Sequence, residues 1–182
     1  MLEQHAAHVH FARATHKRGA ERRDAVWHWA DLLRMPHPRA TSVSIIDALA
    51  QATVCQPPRA AVATLDSALN TGVDDLDEIF SRVPARRRVL RRLVDGRAES
   101  GPETLVRLMA LALGFTVELQ VVYPGVGRVD LVLDGWLVIE CDSEGYHSSW
   151  AAQKNDLRRD LAVAVLGKAR LRLVAEGIMW HP

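Results

Sequence analysis

The chain has 182 residues, 48% hydrophobic but only 5% aromatic, so it can fill one ordinary core, built mainly from Leu, Val, Ala and Ile. Its 23 Lys and Arg against 22 Asp and Glu leave a net charge of +1, which excludes a global polybasic field and leaves any nucleic-acid partner to local clusters. Cys55 and Cys141 stand far apart in apolar context and read as buried thiols in a reducing compartment. With no secretory leader and no apolar run of membrane-spanning length, the expected location is cytoplasmic, with no membrane partner.

Residues 1–40 read as a partial, strand-containing segment. HVHFARATHKRG fits a short strand and a basic turn, while DAVWHWADLLRMPHP fits either strand or helix. The segment looks like part of something larger, as if a module preceded it. His5, His8, His10 and His16 cluster here without cysteines at zinc spacing, so no structural metal is assigned to them. Trp27, His28 and Trp29 read as packing residues.

Residues 41–98 read as a helical linker domain. SVSIIDALAQATV has helical spacing, with Ser42 or Ser44 as N-cap. PRAAVATLDSALNTG starts at a proline and stops at Gly72, and VDDLDEIFSRV carries acids in its first turn. PARRRVLRRLVDG is a fourth helix stopped at Gly96. It holds Arg86, Arg87, Arg88, Arg91 and Arg92, either a stripe that tracks DNA phosphates or a solvated face paired with Asp74, Asp75, Asp77 and Glu78.

Residues 99–182 change character. A helix from about Pro102 to Leu113 precedes three strand-like runs, FTVELQVVY, RVDLVL and WLVIECD, separated by Pro124-Gly125 and Asp134-Gly135. A helix from about Ser149 to Leu166 follows, LRLVAE closes as a strand, and no further helix is expected before Pro182. Three strands, a helix and a strand point to an α/β fold with a mixed sheet and helices packed on it.

The Asp134-Gly135 hairpin sets which residues share a face. A two-residue loop pairs Leu133 with Trp136 and separates Asp130 from Glu140. A three-residue loop, Leu133-Asp134-Gly135, pairs Val132 with Trp136 and makes Asp130 and Glu140 diagonal neighbours. It also gathers Val129, Leu131, Leu137, Ile139 and Cys141 on one apolar side, and a one-residue slip would invert every side chain. The clean segregation favours the three-residue loop. Asp130, Glu140 and Asp142 then converge and repel one another. A hard divalent cation such as Mg²⁺ relieves that repulsion. His147 lies just beyond the strand, placed for proton transfer, and Glu103 is within reach of the same place. The plainer reading is an acidic, solvent-facing sheet surface paired with Arg128 and Arg159, with Asp156, Arg159 and Asp160 as a helical salt-bridge set.

These residues carry a resemblance. From Glu99 onward the chain resembles the very-short-patch-repair (Vsr-like) endonuclease group of the PD-(D/E)XK nuclease superfamily and the bacterial domains related to it. The match rests on Glu103, Gln120, Asp130 in RVDLVL, Glu140 and Asp142 in VIECD, His147 in GYH, Asp156 and Arg159 in DLRRDLAVAVLG, and Arg172 in LRLVAEGI. It implies a restriction endonuclease-like core: a helix, a three-strand antiparallel meander, a crossover helix and a strand, preceded here by the helical N-terminal region. It also implies a Mg²⁺-dependent endonuclease that hydrolyses DNA phosphodiesters. Asp130 would be the central metal ligand and Glu140 the second, His147 would sit beside the scissile phosphate, and Asp156 with Arg159 would be a supporting pair. The lysine of the motif is absent: Asp142 occupies its place, leaving Gln120 or His147 to substitute in part. Ser143-Glu144 stands where many relatives have glycine. The 41–98 segment resembles, more loosely, the linker of bacterial proteins that join a winged helix to such a domain, some grouped with abortive-infection toxin–antitoxin components. The alternative function is a catalytically inactive DNA-binding or antitoxin-like regulator, as a homodimer or with a cognate partner.

Overall fold

The computed structural model describes residues 9–13, 25–29, 31–33, 37, 39–142 and 150–180. His5, His8, His16, Ser143, Glu144 and His147 lie outside them. In chain order the elements are β1 (Val9–Arg13), β2 (Ala25–Trp29), α1 (Ile45–Cys55), α2 (Pro58–Asn70), α3 (Leu76–Arg82), a 3-10 helix (Ala85–Leu93), α4 (Gly101–Ala112), β3 (Val117–Tyr123), β4 (Gly127–Leu133), β5 (Leu137–Asp142), α5 (Trp150–Val165), β6 (Ala169–Val174) and α6 (Ala175–Trp180). Among the described residues no helix is long and apolar enough to cross a membrane.

The chain divides into two units. One holds residues up to Cys55 together with Asp75–Arg88; the other holds Gln56–Asp74 and Val89–Pro182. The segment read as one helical linker is therefore shared between them.

In the first unit β1 and β2 pair in parallel, Val9 opposite Ala25 through Arg13 opposite Trp29. The ambiguous AVWHW run is thus extended, as its β-branched and aromatic residues favour. Ser44 caps α1: its Oγ accepts the Asp47 N–H at 3.1 Å and donates to Asp47 Oδ2 at 2.7 Å. Asp47 Oδ1 accepts the Leu33 N–H at 2.9 Å, so this carboxylate is buried with partners. α3 packs on α1 and buries Ile79 and Phe80. Cys55, expected inside, is exposed at the end of α1, where the apolar stripe runs out.

In the second unit the sheet order is β3-β4-β5-β6; β3–β4 and β4–β5 are antiparallel and β5–β6 parallel. The class is α/β, with a mixed four-strand sheet and helices. α4 and α6 contribute Val106, Ala110 and Ile178 to one cluster with Leu119, Leu131, Leu133 and Ile139. α5 contributes Val163 to another, with Val129, Val132 and Val138. The LRLVAE run is strand only to Val174; AEGIMW continues as α6, so a helix does follow the last strand.

α2 packs on α4 through a buried charge network. Asp66, fully buried, accepts the Asp95 N–H at 2.7 Å on one oxygen. Its other oxygen accepts Thr104 Oγ1 and Arg107 Nη2, each at 2.8 Å, and Arg107 Nη2 also donates to the Leu93 carbonyl at 2.6 Å. Gly96 is required for close approach: a Cβ there would sit 2.5 Å from Leu69 Cβ.

The β4–β5 hairpin closes with three loop residues, but they are Asp134-Gly135-Trp136, with Leu133 opposite Leu137. The expected frame is off by one. Asp134 and Gly135 are both left-handed (φ 47° and 72°). Asp134 is also pinned to Thr116, its N–H on the Thr116 carbonyl at 2.9 Å and its Oδ1 on the Thr116 N–H at 2.8 Å. Held this way it leaves the strand and Trp136 follows it, half exposed. The loop length is the expected one, so the alternation of faces survives. Continuing this register brings Asp130 opposite Glu140 instead of diagonal to it.

Candidate functional site

The β3–β4 ladder runs from Val117–Leu133 to Tyr123–Gly127 with one step missing, Gln120 against Asp130. Gln120 has φ 54°. A non-glycine residue in the left-handed region costs roughly 1–2 kcal/mol, and here it reverses which way β3 faces. Val117 and Leu119, before it, pack with the α4 cluster, while Val121 and Tyr123, after it, pack with the α5 cluster. β4 changes sides at the same level, which places Val129 with Val132 and Val138 and not, as expected, with Leu131. The face carrying Val132, Val138 and Glu140 is covered by α5 through Val163, so it is not the open sheet surface the plainer reading assumed.

Glu103 reaches this break from α4. Ser100 caps the helix: its Oγ accepts the Glu103 N–H at 3.3 Å and donates to Glu103 Oε1 at 2.7 Å. Glu103 Oε2 accepts the Glu99 N–H at 2.9 Å and the Gln120 amide at 2.8 Å. Burial raises the Glu103 pKa, as do the charges of Asp130 and Glu99, against the lowering effect of the Glu99 and Ser100 hydrogen bonds.

Asp130 takes the place of a missing ladder acceptor: its Oδ2 accepts the Cys141 N–H at 2.8 Å. Its pKa is raised by burial first, then by Glu140 and Asp142, with the Cys141 N–H and Arg159 opposing. The half-buried Cys141 thiol is pushed up to about 12 by burial and by Asp130, Glu103, Asp142 and Glu140, which leaves it inert.

Glu140, buried, is held by arginines. The parallel register sets Arg170 beside Val138 and Arg172 beside Glu140, on the same face. Arg170 Nε lies 2.9 Å from Glu140 Oε2, its Nη2 contacts the same oxygen, and its Nη1 contacts Asp160. Arg159 Nη2 lies 2.6 Å from Glu140 Oε1 and also donates to the Arg128 carbonyl. Arg172 Nε is 3.6 Å from Glu140 and 3.8 Å from Asp142, and its two Nη atoms hold Asp156 at 2.6 and 3.1 Å. Asp156 therefore turns to Arg172 and Arg159 to Glu140, where the sequence reading joined Asp156 to Arg159. Arg170 was missed; the signal was the alternation in ARLRLV, which puts Arg170 and Arg172 on one face beside an acidic strand. Arg128 pairs with Glu99 at 2.7 Å at the surface.

The donor chemistry suits a hard divalent cation only in part. Asp130, Glu140, Asp142, Asp156 and Asp160 outnumber the three guanidiniums, and among the described residues the buried Gln120 Oε1 has no hydrogen-bond partner. Asp130 fits Mg²⁺, which takes one or two carboxylates and keeps several waters. Glu140, the expected second ligand, does not fit while arginines hold both its oxygens. Among the described residues no group of three His, Cys, Asp or Glu side chains is disposed to hold a metal ion.

Two other features lie apart from these side chains. A cavity of about 410 Å³ is lined by Pro58, Arg59, Val62, Leu93, Leu108, Met109, Leu111 and Ala112, and by none of the residues above. The arginine run, expected as a helix, is a 3-10 helix. Arg86, Arg88, Arg91 and Arg92 are exposed, with Leu90 buried. Arg87 donates to the Val54 carbonyl at 3.3 Å and Arg88 to the Val83 carbonyl at 2.9 Å. Among the described residues Arg86 and Arg88 make no ion pair with Asp75 or Glu78. Comparison with protein-family models, with curated proteins and with solved structures finds no match for this chain.

Proposed function

We infer that the segment from Glu99 onward is a nuclease-like domain with a restriction endonuclease-like core, acting as a Mg²⁺-dependent endonuclease on DNA phosphodiesters. The observation that carries this reading is the convergence of Gln120, Asp130, Glu103 and Glu140 on one unpaired step of a sheet, where burial first, and neighbouring carboxylates after it, raise the pKa of Glu103 and of Asp130. Strain and repelling charges gathered at one point are the marks of a functional site. Asp130 would hold the cation, joined by Glu140 when its arginines release it; the cation would stabilise charge building on a phosphoryl oxygen. The guanidiniums of Arg159 and Arg172, each about one-third exposed, suit phosphate recognition. Arg172, 3.8 Å from Asp142, brings positive charge to the place where the motif lysine is absent.

The grip of Arg159 and Arg170 on Glu140 favours a second reading, a DNA-binding or antitoxin-like regulator that keeps the arrangement without the chemistry. Plasmid cleavage in Mg²⁺, with an EDTA control and the Asp130→Asn and Glu140→Ala variants, separates the two. The hydrolase reading expects cleavage by the parent, abolished by EDTA and lowered on the order of 100-fold or more by either variant. Equal cleavage by parent and variants sinks it; plasmid binding without cleavage supports the regulator.

A further inference from the structure

We propose that the cavity between α2 and α4 binds a free alkyl carboxylate of medium chain length, with its tail in the hollow and its head on Arg59. The proposal is independent of the hydrolase reading, because none of the residues around Glu140 lines the cavity.

The hollow breaks the packing around it. Protein interiors leave few voids larger than a water molecule. This one measures about 410 Å³, room for roughly fourteen waters at their liquid volume. Its floor is Val62, 0% exposed, and Leu108, 9% exposed, while Leu93 and Leu111, 38% and 42% exposed, stand at its mouth. Such walls offer water almost no hydrogen bonds, and an apolar hollow takes hydrocarbon in its place. A volume of this size, with a lone polar group set in an apolar wall, is the usual form of a small-molecule site between helices.

Charge sets the head group. Among the described residues Arg59 is the one charged side chain of the wall; it is exposed, and its guanidinium has no hydrogen bond or ion pair there. Arg59 stands in the first turn of α2, whose cap residue, Pro57, offers no side-chain acceptor, so the positive end of that helix lies at the same mouth. A cation beside an apolar hollow complements an anion carried on a hydrocarbon chain. A carboxylate suits the guanidinium fork, which grips both its oxygens together. An apolar side chain from a second copy would fill the hollow but leave Arg59 without a counter-charge. The occupant would also brace α2 against α4, the contact that Asp66 and Arg107 already tie, and so raise the melting temperature.

The test is calorimetric titration of the full chain with octanoate and decanoate below their micelle concentrations, with decanol as the neutral probe. Affinity is expected to rise about three- to fourfold for each methylene added. Decanoate binds tighter than decanol in the parent, and Arg59→Gln removes that preference, weakening decanoate about three- to tenfold and leaving decanol unchanged. Ala112→Trp, at an exposed position of the wall, fills the hollow and weakens both probes about tenfold or more. Leu111→Glu sets a carboxylate at the mouth and weakens decanoate more than decanol; it carries the test if Ala112→Trp does not fold. No saturable decanoate binding at millimolar concentration overturns the proposal. So does decanoate binding that neither Ala112→Trp nor Leu111→Glu diminishes, or decanol binding as tightly as decanoate in the parent. A parent that self-associates in sedimentation without binding decanoate, with both of these variants monomeric, gives the cavity to a second copy and overturns it too.

Discussion

The Gln120 side-chain amide donates to Glu103 Oε2 at 2.8 Å from a backbone held at φ 54°. The same residue thus ties α4 to the sheet and turns β3 over. Replacing it separates the two effects, because Gln120→Ala and Gln120→Gly lose the same hydrogen bond. In ordinary strand the alanine variant is the more stable of the pair. Here the order is expected to reverse, with glycine ahead by roughly 1 kcal/mol in chemical denaturation, because only alanine keeps the left-handed penalty. An alanine variant as stable as the glycine variant, or more so, would show that the strain is absent.

Asp130 gives a prediction in pH. Its pKa is raised in the fold, so between the ordinary value of 3.8 and the folded value the native state binds the proton better than the unfolded chain. Stability then falls as pH rises through that window, and the cost stands in full above it. Asp130→Asn keeps an oxygen for the Cys141 N–H and removes the charge. Its melting temperature should exceed the parent's at pH 7, and the gap should close as pH is lowered toward 4. Thermal melts from pH 4 to 8 measure this; a gap that does not change with pH contradicts it.

Arg107→Ala removes the only guanidinium recorded on the fully buried Asp66 among the described residues. Breaking one side of a buried pair costs about 3–5 kcal/mol, which corresponds to roughly 6–20 °C in melting temperature for a chain of this size. Asp66 already has a raised pKa, through burial first, so the Arg107→Ala variant should recover part of the loss in acid as that carboxyl takes up a proton. A loss below 1 kcal/mol by calorimetry would mean that water reaches the pair.

The exposed arginines of the 3-10 helix can be tested by salt. If Arg86, Arg88 and Arg92 each neutralise one DNA phosphate, replacing all three with Gln lowers the slope of log K against log salt by roughly two to three. Fluorescence anisotropy with a labelled duplex gives the slope. Arg97→Gln, which removes a partner of Asp95, should leave it unchanged. An equal slope in the triple variant makes the arginine run a solvated face and nothing more.

The elements of the second unit were legible because period and punctuation agree there: Gly114, Gly135 and Gly167 all take positive φ at element ends. The hairpin frame was not, because it depends on Thr116 pinning Asp134 from outside the loop. Nor was the reversal at Gln120, since nothing in VELQVVY marks one glutamine as left-handed. The acidic residues stood out by their cost inside an apolar strand, and so did Arg159 as a partner, but Arg170 did not. Arg170 lies 30 residues from Glu140, and only the parallel register of β6 brings them together. The arginine run was legible as a helix but not as a 3-10 one, because three- and four-residue spacings are hard to tell apart over nine residues.

The Asp66–Arg107 pair also decides where the chain can be severed. A cut at residue 99, where the composition changes, would strip α2 away and leave Arg107 without its carboxylate. A cut ahead of Pro58 keeps both charges on one fragment. The seam that the folded molecule obeys is therefore written in a counter-ion, 41 residues upstream of the arginine it serves.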